Sequence, residues 1–222
     1  ASDMASDLAK ATAVERLPRA PGWYLADLPD DWSYMSPSGG VLMTVVMLAL
    51  TAELDDPSFR PMSASTLFCS PVPAGPIEIR ATVLRKGNAA CQLRAALSST
   101  SKPGPGLEVT ATYVRDRQGP DVHGHSFPTV AAPEACLDAS SRASSRPFFR
   151  NLDIRLAIGE VMWEPGWQAG DARTAFWYRY RVPQRQVSGV FDPNALPPIA
   201  DTMPSAPARK LGPEHPRVFA AR

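Results

Sequence analysis

The chain has 222 residues, of which 44% are hydrophobic and 20% are charged. This is the composition of a globular protein and not of a disordered chain, and the length suits one large domain or two small ones. The 23 basic and 22 acidic side chains nearly cancel. Because the chain lacks a net positive field that would neutralise a phosphate backbone, nucleic acid is not expected as a partner.

The cysteines and the apolar runs indicate the compartment. Cys69, Cys91 and Cys136 form no CxxC pair and leave an odd count, which argues against a secreted disulfide framework and predicts a cytoplasmic protein. Residues 1–17 lack the apolar core of a signal peptide. The longest apolar run, residues 41–50, is far shorter than the roughly 20 residues that cross a bilayer, so no membrane span is predicted.

An extended segment over residues 23–28 and a turn-rich passage precede the strongest helix signal in the sequence. Residues 41–50 (VLMTVVMLAL) are apolar on nearly every face, so we predict a helix that is buried on all sides. The polar residues 53–56 and the following Pro57 mark its end. Other elements must therefore surround this helix.

The strands that follow can supply this surrounding layer. Apolar and polar residues alternate over residues 77–83, 91–97 and 107–113, which is the period of two expected of half-buried strands, and residues 65–69 form a shorter strand. The letters KGN at residues 86–88 are a hairpin turn signal. We predict a central helix wrapped by an antiparallel meander.

The composition changes in the middle of the chain. Residues 117–148 are rich in Gly, Pro, Ser and Ala without periodicity, which is typical of an interdomain linker. Alternation resumes over residues 152–158 and 174–180, and the prolines within residues 194–206 predict a short or irregular helix there. We therefore predict a first domain over residues 1–118, a linker over residues 119–148 and a second domain over residues 149–222.

The order of these features resembles bacterial acyl-CoA thioesterase II and related thioesterase-like proteins with two tandem hotdog folds. In the first half, the resemblance rests on residues 36–40 (SPSGG), which open the apolar helix, and on residues 65–76 (STLFCSPVPAGP). In the second half, it rests on residues 177–180 (WYRY) and 195–201 (ALPPIAD). It implies an α+β double hotdog, each half a central buried helix wrapped by a curved antiparallel sheet, with the second hotdog incomplete at its C-terminal end.

The resemblance also implies an activity, the hydrolysis of acyl-CoA thioesters in fatty acid metabolism. The family holds the attacking water with an Asp together with a Thr or Ser and a Gln. Asp201 stands at the position of that Asp. Its Thr and Gln partners are expected on strands after the helix of the second hotdog, and neither is assigned in this sequence.

Gly39 and Gly40 are the candidate substrate-binding residues. At the start of a helix, free backbone N–H groups can approach the acyl or phosphopantetheine carbonyl closely. The structural alternative for both glycines is tight packing where the loop enters a buried helix. For Asp201 the alternative is a capping or solvated residue within a proline-rich turn.

Neither a cofactor nor a metal is predicted. His123 and His125 could share an ion, but further ligands are absent nearby in the sequence, so a surface pair in the linker is favoured. A hotdog hydratase would need a His with an Asp or Asn, and the remaining His215 lies in a proline-flanked tail. Cys69 and Cys91 lie in strand patterns, Cys91 on the apolar face, which favours packing over nucleophilic catalysis.

Aromatic residues of the second half could line an acyl tunnel or fill the interface between two sheets, and we favour packing. They are Trp163, Trp167, Phe176, Trp177, Tyr178 and Tyr180. Arg179, Arg181 and Arg185 alternate along the same strand and its exit. A contact with a CoA phosphate is one interpretation of these arginines, but a solvated face is the more usual one.

The expected partner is an acyl-CoA or acyl-carrier thioester. The competing hypothesis is a non-catalytic acyl or acyl-CoA binding module, or a structural paralogue, and an incomplete second hotdog favours it. A half-built second sheet leaves an unpaired edge and an uncovered apolar face. We therefore also expect a homo-oligomer that associates through the hotdog sheets.

Overall fold

The computed structural model describes residues 4–102, 104–140, 146–162, 165–203 and 205–214. The helices are α1 (Leu8–Ala11), α2 (Gly39–Leu54), α3 (Leu196–Ala200) and α4 (Ala206–Leu211). The strands are β1 (Glu15–Arg16), β2 (Trp23–Leu28), β3 (Arg60–Phe68), β4 (Gly75–Lys86), β5 (Ala90–Ser99), β6 (Leu107–Val114), β7 (Leu137–Asp138), β8 (Leu152–Ile158) and β9 (Ala175–Tyr180).

Helix α2 is the buried helix that the sequence predicts. It runs for 16 residues, and Val41 and Leu50, which lie on opposite faces of the helix, are both fully buried. It ends at Leu54, because Asp55 adopts a left-handed conformation with φ 47° and its amide donates to the Thr51 carbonyl. The predicted end of the helix is confirmed.

Six strands wrap α2 in an antiparallel sheet of order β1-β2-β4-β5-β6-β3. Ile79 pairs with Leu97 across β4 and β5, and both side chains are fully buried in the core that contains α2. The hairpin between these strands closes where the Gly87 amide donates to the Ala90 carbonyl at 2.9 Å. The predicted meander is therefore confirmed, with two further strands, β1 and β2, at one edge.

The second unit is smaller and shares the core of the first. Strands β7, β8 and β9 form a three-stranded antiparallel sheet. The ring of Trp32, from the first unit, lies 5.8 Å from Phe148 and 6.1 Å from Tyr180 by ring centroids. Because these aromatic side chains and Leu152 are buried together, one hydrophobic cluster extends through both units.

The helix predicted within residues 194–206 is present but short. Helix α3 has five residues and follows a 3-10 turn over Pro193–Ala195. Prolines occupy its first turn, where a missing N–H costs least. Asp201, which we expected inside the helix, is its C-terminal cap residue. The α+β hotdog class is confirmed, and in the described residues the second unit contributes three strands and short helices.

Residues 119–132, within the predicted linker, contain no helix or strand and are mostly exposed. They are held over β9, because the Trp177 indole N–H donates to the Ala131 carbonyl at 3.0 Å. The domain boundaries themselves remain a prediction. Across the described part of the chain, each helix is too short or too polar to cross a bilayer.

Candidate functional site

Asp201 lies at the first turn of α2, although 163 residues separate it from Ser38. Its Oδ2 accepts a hydrogen bond from the Ser38 hydroxyl at 2.7 Å and another from the Gly40 amide at 3.2 Å. Ser38 is buried, whereas Asp201 is exposed to solvent. The structure thus brings two residues singled out from the sequence, Asp201 and Gly40, into direct contact.

The start of α2 explains why a carboxylate is bound there. The first amides of a helix have no acceptor within the helix and carry partial positive charge. The first turn of α2 has no acidic residue, and its N-cap residue Ser38 makes no capping bond with its own side chain. The Ser38 hydroxyl donates to Asp201 instead. Asp201 therefore serves as a cap that comes from the second unit.

Gly40 allows α3 to approach α2. A Cβ atom at this position would lie 2.2 Å from the Pro197 carbonyl oxygen and 2.7 Å from the Pro198 Cα. One turn further along, the Thr44 hydroxyl donates to the Asn194 carbonyl at 2.8 Å. Close packing is thus a sufficient reason for glycine at position 40, and the Gly40 amide contributes to the site through Asp201.

Gly39 lies between β3 and the Asp201 carboxylate. A Cβ at Gly39 would be 2.9 Å from the Phe68 ring and 3.7 Å from Asp201 Oδ1. Gly39 is half-buried and is the first residue of α2, where the amide has no acceptor within the helix. Gly39 therefore lies beside the Asp201 carboxylate at the start of α2.

Tyr34 belongs to the same cluster. Its hydroxyl oxygen is buried and has no hydrogen bond of acceptable geometry among the described residues. Burial and the Asp201 carboxylate raise the pKa of Tyr34, and the neighbouring Ser38 hydroxyl opposes them with a smaller effect. Its ring packs on Phe148 and Phe149, with centroids 4.6 and 5.4 Å away. Tyr34 is thus a neutral phenol beside Ser38 and Asp201.

The Thr and Gln expected as partners of Asp201 are not among its contacts in the described residues. Thr202, the next residue, donates to the Ile199 carbonyl at 2.6 Å. Gln184 is buried and bonds to Asp7 and to the Val182 carbonyl. Ser38 supplies the hydroxyl that contacts Asp201.

Sequence reasoning did not assign Ser38 or Tyr34 to the site. A signal for Ser38 exists, because serine directly before a helix is a preferred N-cap and the first turn of α2 has no acid of its own. Tyr34 has no comparable signal, since only the fold brings it near Asp201.

The other candidate residues lie elsewhere. Groups of three or more potential metal ligands do not occur among the described residues. His123, in the exposed linker, pairs with Asp121 at 3.2 Å. Cys91 is buried in the core, as predicted, and Cys69 is exposed at the end of β3. His215 lies outside the described residues.

The arginines and aromatic residues of the second unit are engaged in packing and pairing. Arg179 and Arg181 both pair with Asp153, at 2.8 and 3.2 Å, and Arg185 donates to the Gly189 carbonyl at 2.7 Å. The aromatic side chains Trp167, Phe176, Tyr178 and Tyr180 are buried or half-buried. This supports packing as their role. Trp163 lies outside the described residues.

Comparison with known families identifies the first unit. Residues 28–115 match the family model of the acyl-CoA thioesterase N-terminal domain. The match contains α2 with Gly39 and Gly40, and it ends before Asp201. The first unit is thus similar to that family of domains, and the resemblance to thioesterase II proteins is confirmed. The chain matches no curated protein.

Solved structures extend the fold comparison to the second unit. A hotdog-fold protein of unknown function from Alicyclobacillus acidocaldarius aligns with a TM-score of 0.77 and 20% identity, over 92% of this chain and 72% of that chain. The acyl-CoA thioesterase II TesB2 of Mycobacterium marinum aligns with a TM-score of 0.64 and 17% identity, over 88% and 68%. The tesB protein of Mycobacterium avium subspecies paratuberculosis aligns with a TM-score of 0.67 and 17% identity, over 92% of this chain and 73% of that chain. At these identities the similarity shows the hotdog fold.

Proposed function

We propose that the chain hydrolyses acyl-CoA thioesters to the free acid and CoA. The family of residues 28–115 supports this class of substrate. The observation that carries the proposal is the contact of the Asp201 carboxylate with Ser38 and the Gly40 amide at the start of α2. Asp201 is exposed, so substrate and water can reach it.

In the proposed reaction, Asp201 Oδ1 holds the attacking water and takes one of its protons. The water oxygen bonds to the thioester carbonyl carbon, and the carbonyl electron pair moves to oxygen. The Gly39 amide donates to this oxyanion, which is the charge that develops in the transition state. The carbonyl then re-forms, the carbon–sulfur bond breaks, and the CoA thiolate takes the proton from Asp201. Ser38 and Gly40 hold Oδ2 and so keep Oδ1 directed at the water.

The second candidate is a non-catalytic module that binds an acyl group or acyl-CoA. The two hydrogen bonds to Asp201 Oδ2 also describe a helix cap, which has a structural role in any state of the protein. In the described residues, Asp201 lacks the Thr and Gln contacts that the thioesterase II resemblance implies. The contact alone is therefore compatible with binding without turnover.

The test is release of free thiol from short, medium and long acyl-CoAs and from an acyl-carrier thioester. We expect turnover by the wild-type chain and a fall of at least about a hundredfold in Asp201→Asn, which corresponds to about 2.7 kcal/mol of barrier. Asp153→Asn is the matched control, because Asp153 lies in β8 and pairs with Arg179 at the surface. It should retain wild-type turnover.

Two outcomes would overturn the proposal. Near-wild-type turnover in Asp201→Asn would exclude the role given to Asp201. Calorimetric binding of a non-hydrolysable acyl-CoA thioether, with no thiol release from any thioester, would establish the binding module.

We further propose a cytoplasmic location and self-association through the first sheet. The outer edge of β3 pairs with no strand among the described residues. Met62, Leu67 and Phe68 of this strand are exposed, and an unpaired apolar edge favours pairing with a second chain. Sedimentation should show a dimer, and a monomer at high concentration would contradict the proposal.

A further inference from the structure

One polar group of the Asp201 cluster has no partner in the described residues, the buried hydroxyl of Tyr34. A buried donor without an acceptor is costly, and most such groups in folded proteins find a partner. A buried hydroxyl that has no acceptor, beside an exposed carboxylate, therefore needs a physical explanation.

The surroundings of Tyr34 restrict where its hydroxyl can go. Phe148 and Phe149 pack against the ring. The Tyr34 amide donates to the Ser36 carbonyl at 3.0 Å, and the Tyr34 carbonyl accepts from Arg146 Nη1 at 3.4 Å. These contacts restrict the ring and the backbone of Tyr34, and Ser38 is the neighbouring hydroxyl that acts on the Tyr34 side chain.

Ser38 can accept this hydrogen bond. Its single hydroxyl proton is donated to Asp201 Oδ2 at 2.7 Å, and its oxygen keeps lone pairs for another donor. Tyr34 remains protonated and able to donate, because burial and the Asp201 carboxylate raise the pKa of Tyr34 above its ordinary value. Donation of the Tyr34 proton to Ser38 Oγ would satisfy the buried hydroxyl.

We propose that Tyr34 is a positioning residue of this site: its hydroxyl donates to Ser38 Oγ and completes a Tyr34–Ser38–Asp201 relay that fixes the carboxylate. The kinetic consequence rests on the proposed function. The relay itself is a property of the folded chain, whether or not the chain turns over a thioester.

Tyr113 provides the matched control. Its hydroxyl is also buried, but it is paired with Thr51 Oγ1 at 2.9 Å and with the Met47 carbonyl at 3.1 Å. Replacing Tyr113 by Phe removes hydrogen bonds that stabilise the fold. Replacing Tyr34 by Phe removes a hydroxyl whose proposed partner is Ser38 alone.

The kinetic experiment compares Tyr34→Phe with Tyr113→Phe in thiol release and urea unfolding. Tyr34→Phe should lower kcat at least about tenfold with KM changed by less than about twofold, which is the size expected when a catalytic group is held less well. Its unfolding midpoint should fall less than that of Tyr113→Phe, because the proposed relay gives the Tyr34 hydroxyl one hydrogen bond whereas the Tyr113 hydroxyl has two. Tyr113→Phe should show a lowered midpoint and wild-type kcat. Tyr34→Phe combined with Ser38→Ala should be no slower than Ser38→Ala alone, because both act through one relay.

Hydrogen exchange of the Gly40 amide tests the relay independently of activity, since this amide donates to Asp201 Oδ2. Exchange should be faster in Tyr34→Phe than in the wild type and unchanged in Tyr113→Phe. In an active chain, wild-type kcat in Tyr34→Phe overturns the positioning role. In a chain that releases no thiol, the proposed function fails, and unchanged Gly40 exchange in Tyr34→Phe then overturns the relay.

Discussion

The two units of this protein reach their structures by different routes. The first has a 16-residue helix buried by six strands, and nearly every element of it follows from a local pattern. The second has three strands and two short helices in its described residues, and it completes its core with side chains of the first. The second unit therefore relies on the first for part of its core.

The candidate site reflects this difference. Gly39 and Gly40 come from the region that matches the thioesterase domain, and Asp201 comes from outside that region. The site is formed only when α3 packs on α2. Variants that separate the two helices should therefore disturb the site while leaving the first sheet intact.

The largest effect on the contact between the units is expected for Gly40→Ala. The added methyl would overlap the Pro197 carbonyl, and overpacking of this kind costs about 1–3 kcal/mol or more. The gain in helix propensity from Gly to Ala, about 1 kcal/mol, offsets only part of it. We expect a net loss of about 2 kcal/mol in the free energy of unfolding, measured in urea, together with a loss of thiol release.

Gly124→Ala is the control for this variant. Gly124 lies in the exposed linker, where a Cβ would meet no atom within 4 Å. Its stability should stay within about 0.5 kcal/mol of the wild type. A Gly40→Ala chain as stable as this control would show that the helices are not in close contact.

A smaller effect, confined to the first unit, is expected at Asp56. Hydrogen bonds from Ser58 and Lys86 hold the pKa of Asp56 well below its ordinary value, and Arg115 pairs with the same carboxylate at 3.2 Å. A lowered pKa in the folded state stabilises the fold above the unfolded-state pKa of about 4, and this stabilisation is lost as the pH falls through the folded-state value. Asp56→Asn should thus lower Tm at pH 7.

Measuring Tm of the wild type and of Asp56→Asn at several pH values distinguishes this charge effect from an effect on packing. The Tm difference between wild type and Asp56→Asn should shrink as the pH falls below about 4, toward the lowered folded-state pKa. A difference that stays constant between neutral and strongly acidic pH would contradict the assignment. Thiol release at pH 7 should be unchanged, because Asp56 lies beyond the opposite end of α2 from Asp201.

The sequence predicts the first unit well because its signals are local. The all-round apolar run of α2, the alternation of β4 to β6 and the turn at Gly87 all depend on neighbouring residues. The short elements α1, β1 and β7 were not predicted, since two to four residues carry too little periodicity. Their formation depends on tertiary contacts.

The site could be predicted only in part for the same reason. The resemblance assigned Asp201, Gly39 and Gly40 individually, but the hydrogen bond from Ser38 to Asp201 spans 163 residues. No local pattern encodes such a contact. The orphan hydroxyl of Tyr34 becomes visible only when burial and partners are known atom by atom.

The most direct test of the account is a double-mutant cycle between Ser38 and Asp201, the contact that joins the two units at the site. The free energy of unfolding is measured in urea for the wild type, Ser38→Ala, Asp201→Ala and the double variant. A hydrogen bond to a charged group predicts a coupling energy of at least about 1 kcal/mol. A coupling energy below about 0.3 kcal/mol would mean that the contact does not form in solution and would contradict the account.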